Sequence, residues 1–448
     1  MDPENKSKVL LSFETFRTSR LWFAGADVLA MLLAAALPWS TTAFAIILGS
    51  LLAIICGSID VRLFVRSVSR APSVVSIALF IIAAAGVIWS EAGFSVGIHA
   101  LSPLVKFLVL PLFLYYFEIS ERGTWVLGAF LFSCVLLMIN SWVITFEPGL
   151  AFKTGRCCGE DYGVSVRNYI DQSQEFGVCL VGLFSAALFF LEKKLWKQAI
   201  LPSLGAVAFA SNLVFVVVSR TAIVCIPVML VVVAWRHRRR RGMLAVMGIG
   251  AVVLAAAWFA SPHLRARVLS TYSQFQEYRD ADVPSSVGKR LEFWRKSVIF
   301  FREAPLIGHG TGSVLQLFQQ DAIGRTAVSA EVVSNPHNQM FSAAIQWGMV
   351  GLAVLCALWI VHTRMFLKKG LIAELGLVVV MQNIVGSLFN SHLFDFTEGW
   401  LYVLGVGVAG GMLARRGIGP TDSAAHLGNI EYGVDKKRSS TTSTAKER

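Results

Sequence analysis

The sequence predicts an all-α polytopic membrane protein, and three observations carry that reading. Of 448 residues, 55% are hydrophobic and only 15% charged, with a mean hydropathy of +0.63; soluble domains carry roughly a quarter charged residues. The apolar residues fall in runs of about 20, the length a helix needs to cross a bilayer. Basic residues gather on alternate sides of those runs. This composition excludes an extended disordered chain, a disulfide-stapled secreted domain and a cytosolic enzyme with one small core.

A cytoplasmic segment, 1–20, precedes the first run. It is polar (Asp2, Glu4, Glu14), and no small-residue cleavage site follows the apolar stretch, so no cleavable signal is expected. About twelve spans are predicted, near 21–38, 41–58, 72–89, 100–117, 124–145, 174–191, 198–216, 219–235, 243–260, 339–361, 371–390 and 398–414. The first nine make a block over 21–260 and the last three a block over 339–414. The stretch 198–235 is nearly continuous; it is divided at Ser219-Arg220 because an arginine costs far less at an interface than at mid-bilayer. The outer loop 261–338 is too long to be structureless. Within it 286–303 has helical periodicity, with Leu291, Trp294, Val298 and Phe301 on one apolar face. The helix should stop before Ala304-Pro305, and Gly308-His309-Gly310-Thr311-Gly312 then turns the chain. The tail 415–448 is rich in Ser, Thr and Lys and is expected to be disordered.

Orientation follows from charge. Lys+Arg exceed Asp+Glu by 12, and with the N-terminus inside, Arg62, Arg66, Arg70, Arg122, Lys193, Lys194, Lys197, Arg364, Lys368 and Lys369 are all cytoplasmic. So is the run Arg236-His237-Arg238-Arg239-Arg240-Arg241. Both termini are therefore expected in the cytoplasm, and the excess charge reports topology rather than a nucleic-acid partner. Five of the seven cysteines lie in spans. Cys157 and Cys158 face outside but are adjacent, which permits only a strained bridge.

Three features carry candidate chemistry. Ser219-Arg220-Thr221-Ala222 sets a guanidinium at the outer end of a span, where it either snorkels to headgroups or offers a fork of donors to a phosphate. Lys289-Arg290-Leu291-Glu292-Phe293-Trp294 reads as a headgroup-binding face or as a second phosphate contact, with Trp294 one turn from Arg290 and able to hold it. In Asn335-Pro336-His337-Asn338-Gln339, Asn335 is a good N-cap with proline at N1. His337 then falls in the first helical turn, where the dipole favours a neutral imidazole, suited to a general base, and free amides stand ready for an anion. Secondary candidates are Asn338, His309 in the glycine turn, and Asp395 at the outer mouth of the last two spans, which either orients a base, binds a sugar hydroxyl or is simply solvated. No phosphate loop for ATP is present, and no His/Cys/Asp group has metal-ligand spacing, so neither metal nor cofactor is expected. No internal repeat supports a transporter of polysaccharide or lipid.

In order and spacing, Ser-Arg-Thr-Ala at 219, Arg-Leu-Glu-Phe-Trp at 290, Ala-Pro-Leu-Ile-Gly-His-Gly-Thr-Gly-Ser at 304, Asn-Pro-His-Asn-Gln at 335 and Gln346-Trp347-Gly348 resemble the O-antigen ligase family, which shares its core domain with O-antigen polymerases. The resemblance implies a metal-independent, inverting glycosyltransferase of GT-C-like architecture in the bacterial inner membrane. Its donor is a glycan on undecaprenyl pyrophosphate, and its acceptor a sugar hydroxyl of lipid A–core at the periplasmic face. A polymerase would use a second lipid-linked glycan instead. Motif matching places the family's pyrophosphate-binding arginines on Arg220 and Arg290 and its essential histidine on His337; an acidic residue of the last outer loop matches Asp395 only loosely.

Overall fold

The computed structural model describes residues 20–147, 149–150, 163–281 and 285–415. Cys157, Cys158, the first 19 residues and the tail beyond Arg415 lie outside them. Among the described residues the chain is helical, without strands. The helices are α1 Arg20–Ala36, α2 Thr41–Gly57, α3 Val61–Val68, α4 Ala71–Gly86, α5 Phe94–Ala100, α6 Lys106–Ile119, α7 Gly123–Phe146, α8 Tyr169–Glu192, α9 Trp196–Phe215 and α10 Arg220–Ala260. The outer segment adds α11 Pro262–Ala281, α12 Ser286–Glu303 and α13 Val314–Asp321, and the last three are α14 Gln339–Met365, α15 Leu371–Gly386 and α16 Phe396–Arg415.

Every predicted apolar segment coincides with helix. Among the described residues, seven helices are long and apolar enough to span a membrane, or up to eight if the α2–α3 pair, bent by 118°, is one span. Leu21–Ala36, Ala71–Gly86, Gly250–Ala260 and Leu371–Gly386 are shorter. Two of them stop early for a visible reason. The carbonyl of Gly86 accepts from Thr311 N at 2.9 Å, and that of Ser387, after α15, from Gln339 N at 2.8 Å. Irregular backbone buried in protein takes over where helix ends, which is tolerable at membrane depth.

The break at Ser219 is present: α9 ends at Phe215 and α10 begins at Arg220. Straight, the 41 residues of α10 would extend about 60 Å. Yet Ser261 Oγ donates to Val214 C=O at 2.8 Å, and Val218 packs with Ala257 and Leu264. The chain therefore doubles back within α10, as two predicted spans require.

At the centre stands α16, packed chiefly on α6. Gly407 and Gly411, one turn apart, let the backbone approach Phe113 and Phe117; a Cβ at Gly411 would sit 2.7 Å from Phe117 Cβ. The loops predicted to share a side do meet. At one end Arg70 pairs with Glu118 at 2.6 Å, and His237 lies between Glu192 and Glu374 at 2.9 and 2.8 Å. At the other, Glu91, Ser90 and Trp89 contact the glycine turn.

The outer segment forms a cap with its own core of Phe293, Phe300, Val314, Leu317 and Phe318, closed by Ile345 of α14. Helix α12 spans the predicted residues, capped by Ser285 accepting from Gly288 N at 3.0 Å. Its buried face is rotated from the predicted one. Phe293, Ser297 and Phe300 are buried, whereas Leu291, Trp294, Val298 and Phe301 are half-buried. The aromatic anchor is Phe318 of α13, edge-on to both Phe293 and Phe300, a partner that periodicity alone does not reveal.

The glycine turn is stitched into the bundle. Gly308, Gly310 and Gly312 all have positive φ, and a Cβ at Gly310 would strike the backbone of Ser90 and Gly86. Helix α14 is interrupted at Gly348 (φ 59°, ψ −150°), and the turn supplies the partners this break orphans. Met349 N donates to Pro305 C=O at 2.8 Å, while His309 N and Gly310 N donate to Ile345 and Gln346 C=O, both at 2.9 Å. Trp347 Nε1 reaches Thr311 Oγ1 at 2.8 Å, and Gly312 N reaches Gln346 Oε1 at 2.8 Å. Two motifs some 35 residues apart in sequence are thus each other's packing partners.

Candidate active site at the cap–bundle seam

His337 does not lie in a helical turn. Asn338, not Asn335, caps α14: its side chain accepts from Met340 N at 2.9 Å and Phe341 N at 3.2 Å. Asn335 Oδ1 instead accepts from His337 N at 2.9 Å, closing a local turn. His337 takes φ 52°, a left-handed conformation that costs a residue with a Cβ about 1–2 kcal/mol. The helix begins where Gln339 N is tied to Ser387, so tertiary contact chose between two competent asparagines. The amides expected to bind an anion are consequently capped.

The imidazole is held by a chain of side chains. Its Nδ1 lies 2.9 Å from Asn390 Oδ1, and Asn390 Nδ2 donates to Asp395 Oδ2 at 2.9 Å. With the amide oriented by Asp395, Nδ1 carries the proton and Nε2 keeps its lone pair; the tautomer is assigned from this network. Phe293 stacks against the ring at 6.2 Å between centroids. Burial pulls the His337 pKa below its ordinary value; the Asn390 hydrogen bond works against that, the Arg290 charge adds to it and the Asp395 charge opposes it. The ring is neutral because of burial, not because of a helix dipole.

Arg220 opens α10 and points toward the cap helices rather than to lipid headgroups. Its partners are neutral and distant: Ser286 Oγ at 3.4 Å, Ser270 Oγ at 3.2 Å and Gln274 Oε1 at 3.3 Å. On α12 nearly every other charge at this level is committed. Lys289 pairs with Glu331 at 2.5 Å, Arg295 with Glu292 at 2.6 Å, and Lys296 with Asp321 at 2.8 Å. Arg290 has no ion pair or hydrogen bond among the described residues. Burial lowers its pKa, partly offset by Tyr169. Trp294 does not hold it, but packs on Phe341.

Arg220 and Arg290 act electrostatically on each other, and Arg290 on His337, so the three residues lie in one neighbourhood. Arg267 of α11 joins them. Its guanidinium lies over the Tyr169 ring at 4.8 Å and its Nε donates to Val218 C=O at 3.3 Å, and it too acts on Arg220. Three guanidinium groups with no acid paired to them among the described residues make a site for an anion with several negative oxygens. The sequence offered no signal for Arg267, because α11 has neither strong apolar periodicity nor a recognisable motif.

Two secondary candidates have structural employment. Both ring nitrogens of His309 are engaged, by Glu91 Oε1 at 2.6 Å and Phe300 C=O at 2.8 Å. Asn338 spends its Oδ1 on the α14 cap and donates its Nδ2 to Leu388 C=O at 2.9 Å. Asp395 joins the site through Asn390. Below it, His392, Asp395 and Glu398 come together with side-chain ligand atoms within 4.8 Å of one another, a grouping the spacing alone did not suggest. Lys106 lies beside them, its Nζ donating to Asp395 C=O at 2.5 Å. The signal for Lys106 was available: a lysine inside a predicted span is a functional candidate by default.

No curated protein matches the chain. Residues 204–356 match the family model described as O-antigen ligase, a stretch that holds Arg220, Arg267, Arg290 and His337 together with the cap and its glycine turn. It is this part of the chain, and with it the seam where those side chains meet, that is similar to the O-antigen ligase family.

Proposed function

We propose that the protein is an O-antigen ligase, a GT-C-like glycosyltransferase of the bacterial inner membrane with both termini in the cytoplasm. It moves a glycan from undecaprenyl pyrophosphate to a sugar hydroxyl of lipid A–core at the periplasmic face. The observation that supports this reading most is the meeting of three arginines that have no acid paired to them among the described residues with a neutral, oriented imidazole. The sugar–pyrophosphate bond already has a good leaving group, so neither ATP nor a cofactor is required. His337 Nε2 takes the acceptor hydroxyl proton as the oxygen attacks the anomeric carbon. The bond from that carbon to the phosphate oxygen breaks on the opposite face, inverting the centre. The charge left on the pyrophosphate is stabilised by Arg220, Arg290 and Arg267, whose guanidinium groups are already in place around it.

The test is transfer by purified protein with a defined lipid-pyrophosphate glycan and, in parallel, lipid A–core and a second lipid-linked glycan as acceptors, without added nucleotide or metal. Product on lipid A–core supports ligation. Chain extension of the lipid-linked glycan alone would make the protein a polymerase on the same donor. Donor left intact in both, with His337→Ala indistinguishable from wild type, would remove the enzyme reading and favour a transporter.

A further inference from the structure

His392 and Glu398 pose a problem of unmet bonding. Both are fully buried, yet neither ring nitrogen of His392 and neither carboxyl oxygen of Glu398 has a hydrogen-bond partner among the described residues. Leaving such groups unpaired costs about 1–3 kcal/mol each, and more when charged. Lys106 does not relieve it, because its ammonium is spent on the backbone carbonyls of Asp395 and Phe394, at 2.5 and 3.5 Å.

Asp171, Glu175 and Asp395 crowd Glu398, with Lys106 the cation acting on it, and a divalent ion would meet the unpartnered atoms of both His392 and Glu398. The distances indicate which kind. His392 Nδ1 lies 3.4 Å from Asp395 Oδ2 and 3.5 Å from Glu398 Oε1. These are long for hydrogen bonds, but they match the edge of a tetrahedron whose centre-to-vertex distance is that of zinc to nitrogen or oxygen, about 3.3–3.6 Å. One imidazole with two carboxylates is a mixed nitrogen–oxygen donor set that suits Zn2+ or a similar transition ion better than Mg2+ or Ca2+.

We infer that His392 Nδ1, Asp395 Oδ2 and Glu398 Oε1 bind one divalent transition-metal ion of the Zn2+ class, away from the reacting atoms. The Asp395 side chain is 30% exposed and gives the ion a way in from the outer end. The ion neutralises the buried acids and fixes Asp395, which through Asn390 sets the tautomer of His337. Its part is positioning, as outer-sphere partners do for metal ligands, here with the ion itself as the anchor. The inference stands without the transfer reaction, since it predicts metal content.

The experiment uses the full chain without an affinity tag, in lipid nanodiscs, incubated with ZnCl2 and passed over a chelating column. Metal is measured by mass spectrometry, and unfolding is followed with and without Zn2+. Wild type should retain about one Zn2+ per chain and melt about 3 °C or more higher with it. The near-isosteric Glu398→Gln should retain less than about a tenth as much zinc and show no such shift, and His392→Gln should behave alike. Wild type holding no more zinc than Glu398→Gln would overturn the inference. So would a Glu398→Gln protein that melts above wild type whether or not zinc is present, because that is the signature of an unpaired acid.

Discussion

Asn390 stands between His337 and Asp395, its oxygen 2.9 Å from His337 Nδ1 and its nitrogen 2.9 Å from Asp395 Oδ2. A carboxyl amide in this place fixes which imidazole nitrogen carries the proton without adding a negative charge directly against the ring.

Replacing His337 with alanine should leave a folded protein and lower transfer by at least about a hundredfold. Asn390→Leu should cost about tenfold or more and leave the donor KM near its original value, because it disturbs orientation rather than donor binding. Asn390→Leu with unaltered kcat would sever the link between this chain of side chains and the reaction.

Since the imidazole must be neutral to accept a proton, activity should rise with pH through the His337 pKa. Burial places that acid limb below pH 6.5, the ordinary value. Removing the adjacent charge in Arg290→Gln raises the pKa, so the limb of the residual activity should move toward higher pH. A limb that stays fixed or moves down would contradict the electrostatic contact.

Arg220→Lys should lower transfer by roughly ten- to a hundredfold, since an ammonium cannot present two parallel donors to a pyrophosphate. Arg267→Ala should be comparably poor. Full activity in Arg267→Ala would reduce that residue to a brace for Tyr169 and Val218.

Lys296 is fully buried and paired with Asp321. Lys296→Met alone should destabilise the cap by about 3–5 kcal/mol, while Lys296→Met with Asp321→Asn should recover much of it. Equal losses in the single and double variants, measured by thermal unfolding, would show that the charge pair is not what matters there.

What the sequence disclosed follows from what is local. Apolar run length placed the helices, the charged Arg220 marked the break after Phe215, and Ser285 with the periodicity after it placed α12. Which face of α12 is buried depended on Phe318, twenty-five residues beyond Phe293, and so was misjudged. The start of α14 was legible only as two candidate asparagines; the bond from Gln339 N to Ser387 C=O decided between them. Arg267 gains meaning only where α11 meets Tyr169 of α8 and Val218 ahead of α10. Lys106 and Glu398 did betray themselves as charges within or beside apolar runs, but a reading tuned to span boundaries passes over them.

The seam at Gly348 restricts how the molecule can breathe. Residues 305–312 serve as surrogate backbone for an interrupted helix, so the cap cannot swing away there without breaking a row of main-chain bonds. Movement that would admit the proposed lipid-borne donor is left to the edge where Arg220 touches Ser270, Gln274 and Ser286 only through long, uncharged bonds. The clasp on one flank would make the other flank the doorway, with Arg220 on its frame.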